Sequence, residues 1–482
     1  MVAISKGLLI MLLALLLVWP AQGAEEPLSK VSAAEIVSKI RSGEPVDYQN
    51  VSVEGYLDLK GLDVKQAIKI TDSHFNATSF EGTTFEKPLD FRGSTFQENV
   101  SFVRARFLGD CNFGETRFLG QAVFWASRFE GFVSFMDAEF FDEVSFASSQ
   151  FNEEAKFIAS IFHRDVEFDS VQFSKLASFR YAEFLGGVSF DSAQLAGNAH
   201  FGDAQFNGDA IFAATEFGNN VLFRSSQFRG NIIFGLASFE GLADFSGTRF
   251  KEVAFFGGTR FLDSAYFIDA VFEKDLILDG ARIYSMQLDN ATFGDGVMIN
   301  LKDADFDRFV VRWNILKDRL VFNGATYQAL VKNYKNLEWF DDADDCYYQY
   351  RRITQDQEPW GWIKFIDIIA WLSCGYGVRV SYSVFWCIFT ILFFGAVFWA
   401  GNGMRRFEFT GLEVPIVPEK IKDQRVSMID AFYFSTAMFT TSQAPVNTYP
   451  VGFYKHLAMI EGILGWFFLG LFVVVLSGVL IR

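Results

Sequence analysis

The chain has 482 residues, of which 50% are apolar and 59 are Phe, against 9 Pro and 4 Cys; this composition excludes a disordered tail protein and a small disulfide-stapled module. A formal charge of −16, with 42 Lys and Arg spread along the sequence, excludes nucleic acid as a partner, because a phosphate backbone requires clustered cations. Cys111, Cys346, Cys374 and Cys387 lack C-x-x-C spacing and His74, His163, His200 and His456 are scattered, so neither a metal nor a cofactor is expected.

The amino-terminal residues read as a signal peptide over 1–23. A start carrying Lys6 precedes an uncharged apolar run, 7–19, too short for the ~20 residues of a spanning helix. Ala21 and Gly23 then suit the −3 and −1 positions of a cleavage site. The domain that follows is therefore expected to leave the cytoplasm. Residues 24–79 read as a capping segment with the first coils of what comes next. In it, Ser32 and Glu35 have capping-box spacing before Ile36, Val37 and Ile40, and Gly43 supplies a stop, which predicts a short helix.

Over 80–300 a repeat overrides local propensity. Large apolar residues fall at 80, 85, 91, 96, 102, 107 and onward in alternating steps of five and six to Ile283; of these 38 positions only Leu195, Leu278 and Ile283 are not Phe. A period near 5.5 matches neither a helix nor a long strand, so each Phe must centre a very short extended segment followed by a turn. A small residue two positions earlier, such as Ala105, Thr116 or Val144, then points to the same side, because extended side chains repeat every second residue. Stretches such as Leu108-Gly109-Asp110 and Asn207-Gly208-Asp209 read as corners needing permissive backbone. No single turn can bury its Phe alone, so the coils must stack, ~4.8 Å apart.

The unit Ala204-Gln205-Phe206-Asn207-Gly208 resembles the pentapeptide-repeat family, and the likeness covers about 200 residues. The chain departs from it by a sixth residue in every second unit and by using Phe almost throughout. The resemblance implies a right-handed quadrilateral β-helix with four units per coil, and 38 units would give about nine and a half coils. An eleven-residue, two-sided coil would satisfy the same spacing; the square one is favoured. The solenoid ligand is not legible, and its scattered corner carboxylates read as a solvated surface.

Residues 301–356 read as a helical connector. Tyr327, Leu330, Tyr334, Leu337 and Phe340, then Ala343, Tyr347, Tyr350 and Ile353, fall at helical spacing and predict a hairpin of two helices. Residues 357–379 form an aromatic-rich amphipathic run whose Trp residues suit a membrane interface. The last part, 380–482, contains two apolar runs long enough to span a bilayer, 380–400 and 457–481. Between them lie a half-length helix, 427–441, and a loop, 442–450.

This layout resembles the two-transmembrane, pore-loop potassium-channel family. The matching residues are Asp430-Ala431-Phe432-Tyr433-Phe434-Ser435 at the start of the pore helix, Thr440-Thr441 at its end, Pro450, and Glu461-Gly462-Ile463-Leu464-Gly465-Trp466-Phe467 in the second span. After the two threonines the family has V-G-Y-G-D, whereas this chain has Ser442-Gln443-Ala444-Pro445-Val446. The resemblance implies a homo-tetramer in a lipid bilayer passing monovalent cations, with a pentamer open because the filter differs. Without filter glycines a carbonyl ladder is not expected. The candidate pathway is therefore Thr440, Thr441, Ser442, Gln443, Ala444 and Pro445, with Asp430 starting the pore helix and Glu461, Gly465 and Gly470 on the lining helix. An ion channel with an extracytoplasmic solenoid as sensor or assembly platform is expected, as a multi-pass protein of a prokaryotic inner membrane with the solenoid in the periplasm or outside. The alternative is a membrane-anchored structural or protein-binding scaffold whose pore-like anchor does not conduct. No phosphate loop, nucleophile elbow or clustered ligand set points to an enzyme.

Overall fold

A computed structural model describes residues 28–406, 424–446 and 448–480. The signal peptide expected over 1–23 lies outside the described residues. The chain divides into two compact units, Met1–Thr326 and Tyr327–Arg482.

The first unit begins with a strand, Ser29–Ser32, and a helix, α1 (Ala33–Ser42). The Ser32 side chain accepts from the Ala34 amide at its start, Gly43 closes it in the left-handed region, and Ala33, Ile36 and Ile40 are buried. Mostly two-residue strands follow, stacked in parallel columns from Ser29 to Val310. Register decides the coil: Thr95 pairs with Arg117, Val100 with Ala122, Arg106 with Arg128 and Cys111 with Val133. In these columns each residue meets its partner 22 positions on, so four strands make one coil and the two-sided alternative is excluded. One column holds 13 strands. The solenoid is longer than the Phe count because other apolar residues fill the end coils: Val53, Leu57, Val64 and Ile70 before Phe75, and Leu288, Ile299 and Leu301 after Ile283. Strands continue to Val310, into the stretch assigned to the connector, and lengthen toward that end, at Arg260–Tyr266, Arg282–Gln287 and Asp305–Val310.

Inside, each Phe column stacks face to face. Phe146, Phe168 and Phe190 lie 5.0 and 4.6 Å apart, nearly parallel, and the rings of the opposite column meet them edge-on, as in Phe157–Phe168 at 5.5 Å and 86°. The small residues divide by chemistry. Several are Ser or Thr, whose buried hydroxyls donate to a Phe carbonyl of the preceding coil: Thr116 to Phe91, Ser160 to Phe135, Thr215 to Phe190, Thr248 to Phe223.

The corners correct the sequence expectation about glycine. Left-handed backbone recurs at every eleventh residue, at Glu115, Ala126, Asp137, Ser148 and Ala159, and these residues are not Gly. Gly109 and Gly208 are absent from the positive-φ set. They serve close approach instead, since a Cβ at Gly208 would come within 2.5 Å of the Gly186 carbonyl oxygen in the coil below. Beside them Asp and Asn side chains bond across coils: Asp165 accepts from the Gly187 amide and Asp209 from that of Asn231, both at 2.8 Å.

A short helix, α2 (Trp313–Leu316), follows the last coil, and α3 (Gly324–Asn336) leads into the second unit. There follow α4 (Phe340–Gln357), α5 (Trp362–Cys374), a 3-10 turn at Gly375–Gly377, α6 (Val380–Ala400), α7 (Met428–Thr441) and α8 (Tyr454–Leu480). By length and composition α6 and α8, the latter over Tyr454–Gly478, are able to cross a membrane.

Candidate functional site

The site is built on α7. Ser427 caps it, accepting from the Asp430 amide at 3.2 Å and donating to the Asp430 carboxylate at 2.7 Å. Asp430 is further held by Arg406 at 3.4 Å. A carboxylate in the first turn opposes the positive end of the helix dipole, so this corner fixes where α7 begins. Strand Met404–Arg406 pairs antiparallel with both Gln424–Arg425 and Thr448–Pro450. The chain leaving the far end of α7 therefore returns to the level of its start.

One face of α7 is buried: Ala431, Phe434, Ser435, Met438 and Phe439 recur at helical spacing. They pack on Phe394 and Phe398 of α6 and on Ala458 of α8. Two glycines permit this. A Cβ at Gly395 would lie 2.5 Å from the Phe432 ring, and one at Gly465 would lie 2.0 Å from the Phe439 carbonyl oxygen. Gly465 is thus a close-packing position, whereas nothing lies within 4 Å of a Cβ at Gly470.

Ser435 ties three helices together, its hydroxyl lying within hydrogen-bond distance of both the Ile391 carbonyl of α6, at 2.8 Å, and the Glu461 carboxyl group of α8. Glu461 lies on α8, the helix expected to line the pathway, but faces α7. Its side chain is wholly buried behind α7 and one carboxyl oxygen has no partner among the described residues. A charged residue near the start of an apolar run reads as a boundary in sequence, and only the packing of α7 reveals a buried one. Ser435 itself was not singled out as a site residue.

The other face is exposed and polar toward its end. Thr436 donates its hydroxyl to the Phe432 carbonyl at 2.9 Å, Thr440 to Thr436 at 2.7 Å and Thr441 to Ala437 at 2.7 Å. Each hydroxyl has spent its proton on the helix, so what it presents outward is oxygen lone pairs. Ser442 ends the helix in the left-handed conformation, its amide bonded to the Met438 carbonyl at 3.0 Å. Gln443 and Ala444 are exposed and Pro445 is half-buried. The Pro445 carbonyl accepts from the Thr448 amide at 3.1 Å. Thr440 to Pro445 therefore sit together at the far end of α7, with Asp430 at the near end. An open cavity of about 550 Å³ borders them, lined by Met438, Ser442, Ala444, Ala458 and Trp466.

Among the described residues no group of three or more His, Cys, Asp or Glu side chains gathers as a metal site.

The family model described as pentapeptide repeats matches nine copies, at residues including 70–117, 80–128, 168–216 and 234–282. With the 22-residue register, the first unit is thus a pentapeptide-repeat β-solenoid domain, followed by a helical region with two long apolar helices. No curated protein matches the chain.

Proposed function

We propose that the chain is a subunit of an oligomeric ion channel, weakly selective for cations, whose right-handed, quadrilateral solenoid lies outside the cytoplasm as sensor or assembly platform. The observation that carries this reading is α7. At ~1.5 Å per residue its 14 residues reach about 21 Å, short of the ~30 Å of a bilayer core, yet it is packed against both candidate spans. A helix that stops inside the membrane leaves broken backbone there, which is tolerable only where it lines water or protein. One chain leaves Tyr433, Thr436, Thr440 and Gln443 exposed, so copies must surround a common axis. The likeness to pore-loop channels implies four; nothing in these residues fixes the angle between neighbours, and five remains open.

Cation preference follows from two features that act together: the carboxyl-terminal end of α7, with its partial negative charge, and the threonine oxygens whose protons are already used. Selectivity among cations should be weak, because residues 442–450 contain no glycine and ions would stay partly hydrated. The same lack of glycine favours the second reading, a membrane-anchored scaffold that does not conduct. Recording from purified protein in a planar bilayer separates them. We expect currents whose reversal potential follows a potassium-chloride gradient as for cations and barely moves when sodium replaces potassium. Strong potassium preference or anion selectivity would overturn this reading of the loop, and silence at all voltages would leave the scaffold.

A further inference from the structure

Helix α5 is polar inside and apolar outside. Its two charged residues turn toward α4: Asp367 pairs with Arg351, and Lys364 donates to the Glu358 carbonyl at 2.9 Å. Trp371, also on that side, donates to the Tyr348 hydroxyl at 2.8 Å and lies under the Arg352 guanidinium at 3.9 Å. The outward row is Trp362, Ile363, Phe365, Ile366, Ile369 and Leu372, from 73% exposed at Trp362 to 43% at Ile369. In water this arrangement forgoes much of the burial that six large apolar side chains would gain. Something apolar must cover that face.

Two observations identify the cover as a bilayer. The helix that follows, α6, also carries an exposed apolar side, where Phe385, Ile388, Phe389 and Leu392 are 45–58% exposed. Depth agrees as well. The Trp386 indole donates to the Leu372 carbonyl at 2.6 Å and Ser383 bonds the Ser373 carbonyl, so the end of α5 lies beside the second turn of α6. At 1.5 Å per residue that is ~5–9 Å below the start of α6, the depth at which an in-plane amphipathic helix sits between headgroups and acyl chains.

We propose that α5 is an in-plane membrane helix, its Ile363, Ile366 and Leu372 side sunk among lipid chains and its Asp367 and Lys364 side carrying α4 at the surface. This rests on α6 being a span. The test uses full-length protein with Cys387→Ala, reconstituted in phosphatidylcholine vesicles, with a nitrobenzoxadiazole label at Ile363→Cys, Ile366→Cys, Asp356→Cys or Phe389→Cys. We expect labels at 363 and 366 to emit to the blue and to lose at least half their intensity to lipids nitroxide-labelled near the headgroup, while the label at 356 is quenched by aqueous iodide instead. Labels at 363 and 366 that respond to iodide, or to neither quencher because a second copy covers the face, would overturn the proposal. The label at 389 keeps the two failures apart: lipid quenching at 389 without quenching at 366 rejects the in-plane helix alone, and no lipid quenching at 389 rejects the span on which it rests.

Discussion

Phe168 lies between Phe146 and Phe190 in one column and against Phe157 and Phe179 of the opposite column at 5.5 and 5.3 Å, with no exposed surface. Truncation to Ala would empty a site that stacked backbone cannot collapse into, at a cost of about 3–5 kcal/mol. Lys175→Ala, at an exposed corner, should change stability by no more than about 0.5 kcal/mol. Asp209 is not a neutral control, because its carboxylate holds the Asn231 amide of the next coil. Equal midpoints for the Phe168 and Lys175 variants in denaturant titration would refute the stacking account. The thiols give a second residue-scale expectation. Burial pushes Cys111 well above its ordinary value, with a smaller contribution from Asp110, and burial beside Asp342 and Asp345 does the same to Cys346. The thiolate is the nucleophile, so at pH 8 both should resist iodoacetamide in the folded protein and react only after denaturation. Mass spectrometry of the alkylated peptides checks this, and modification of either residue in native protein contradicts it.

At the scale of elements, α7 is held by what its neighbours omit as much as by what they supply. Gly465→Ala would drive a Cβ into the backbone carbonyl of Phe439, which no rotamer change relieves, and overpacking of that kind costs about 1–3 kcal/mol. Gly470→Ala meets nothing and removes the ~1 kcal/mol helix penalty of glycine, so it should be neutral or stabilising. Thermal melts in detergent should separate the two; matching melts would mean that α8 does not rest on the end of α7. The same contrast shows what a sequence discloses. Both glycines look alike as letters in an apolar run, and only packing distinguishes them. The solenoid is far more legible, because a Phe every five or six residues is its own packing rule repeated. What escaped were features that no recurring residue type marks. The end coils are filled by Val, Leu and Ile, and the left-handed corners carry Glu115, Ala126 and Tyr181 where glycine would have marked them. The burial of Glu461 depends on Ser435 and Ile391, both distant in sequence, and no local pattern encodes it.

If α6 and α8 cross a membrane, two features of the sequence bear on which way they run. A signal peptide over 1–23 would carry the solenoid out of the cytoplasm, so that α6 runs inward and α8 returns. The stretch 401–456, α7 apart, would then open to the cytoplasm, and it contains Arg405, Arg406, Lys420, Lys422, Arg425 and Lys455. Positive charge close to the ends of spans is retained on the cytoplasmic side. Here Arg405 and Arg406 follow α6 within a few residues and Lys455 opens α8. The pore helix would enter from inside the cell, opposite to potassium channels, and the end of α8 would lie outside. Single cysteines distinguish the two orientations in intact cells. With a membrane-impermeant maleimide, a cysteine at the exposed solenoid corner Lys175 should be labelled from outside. One at the exposed Asn402, just past α6, should be labelled only after the inner membrane is opened. The reverse pattern would place the solenoid in the cytoplasm, and the six cations would then stand on the side that their charge disfavours.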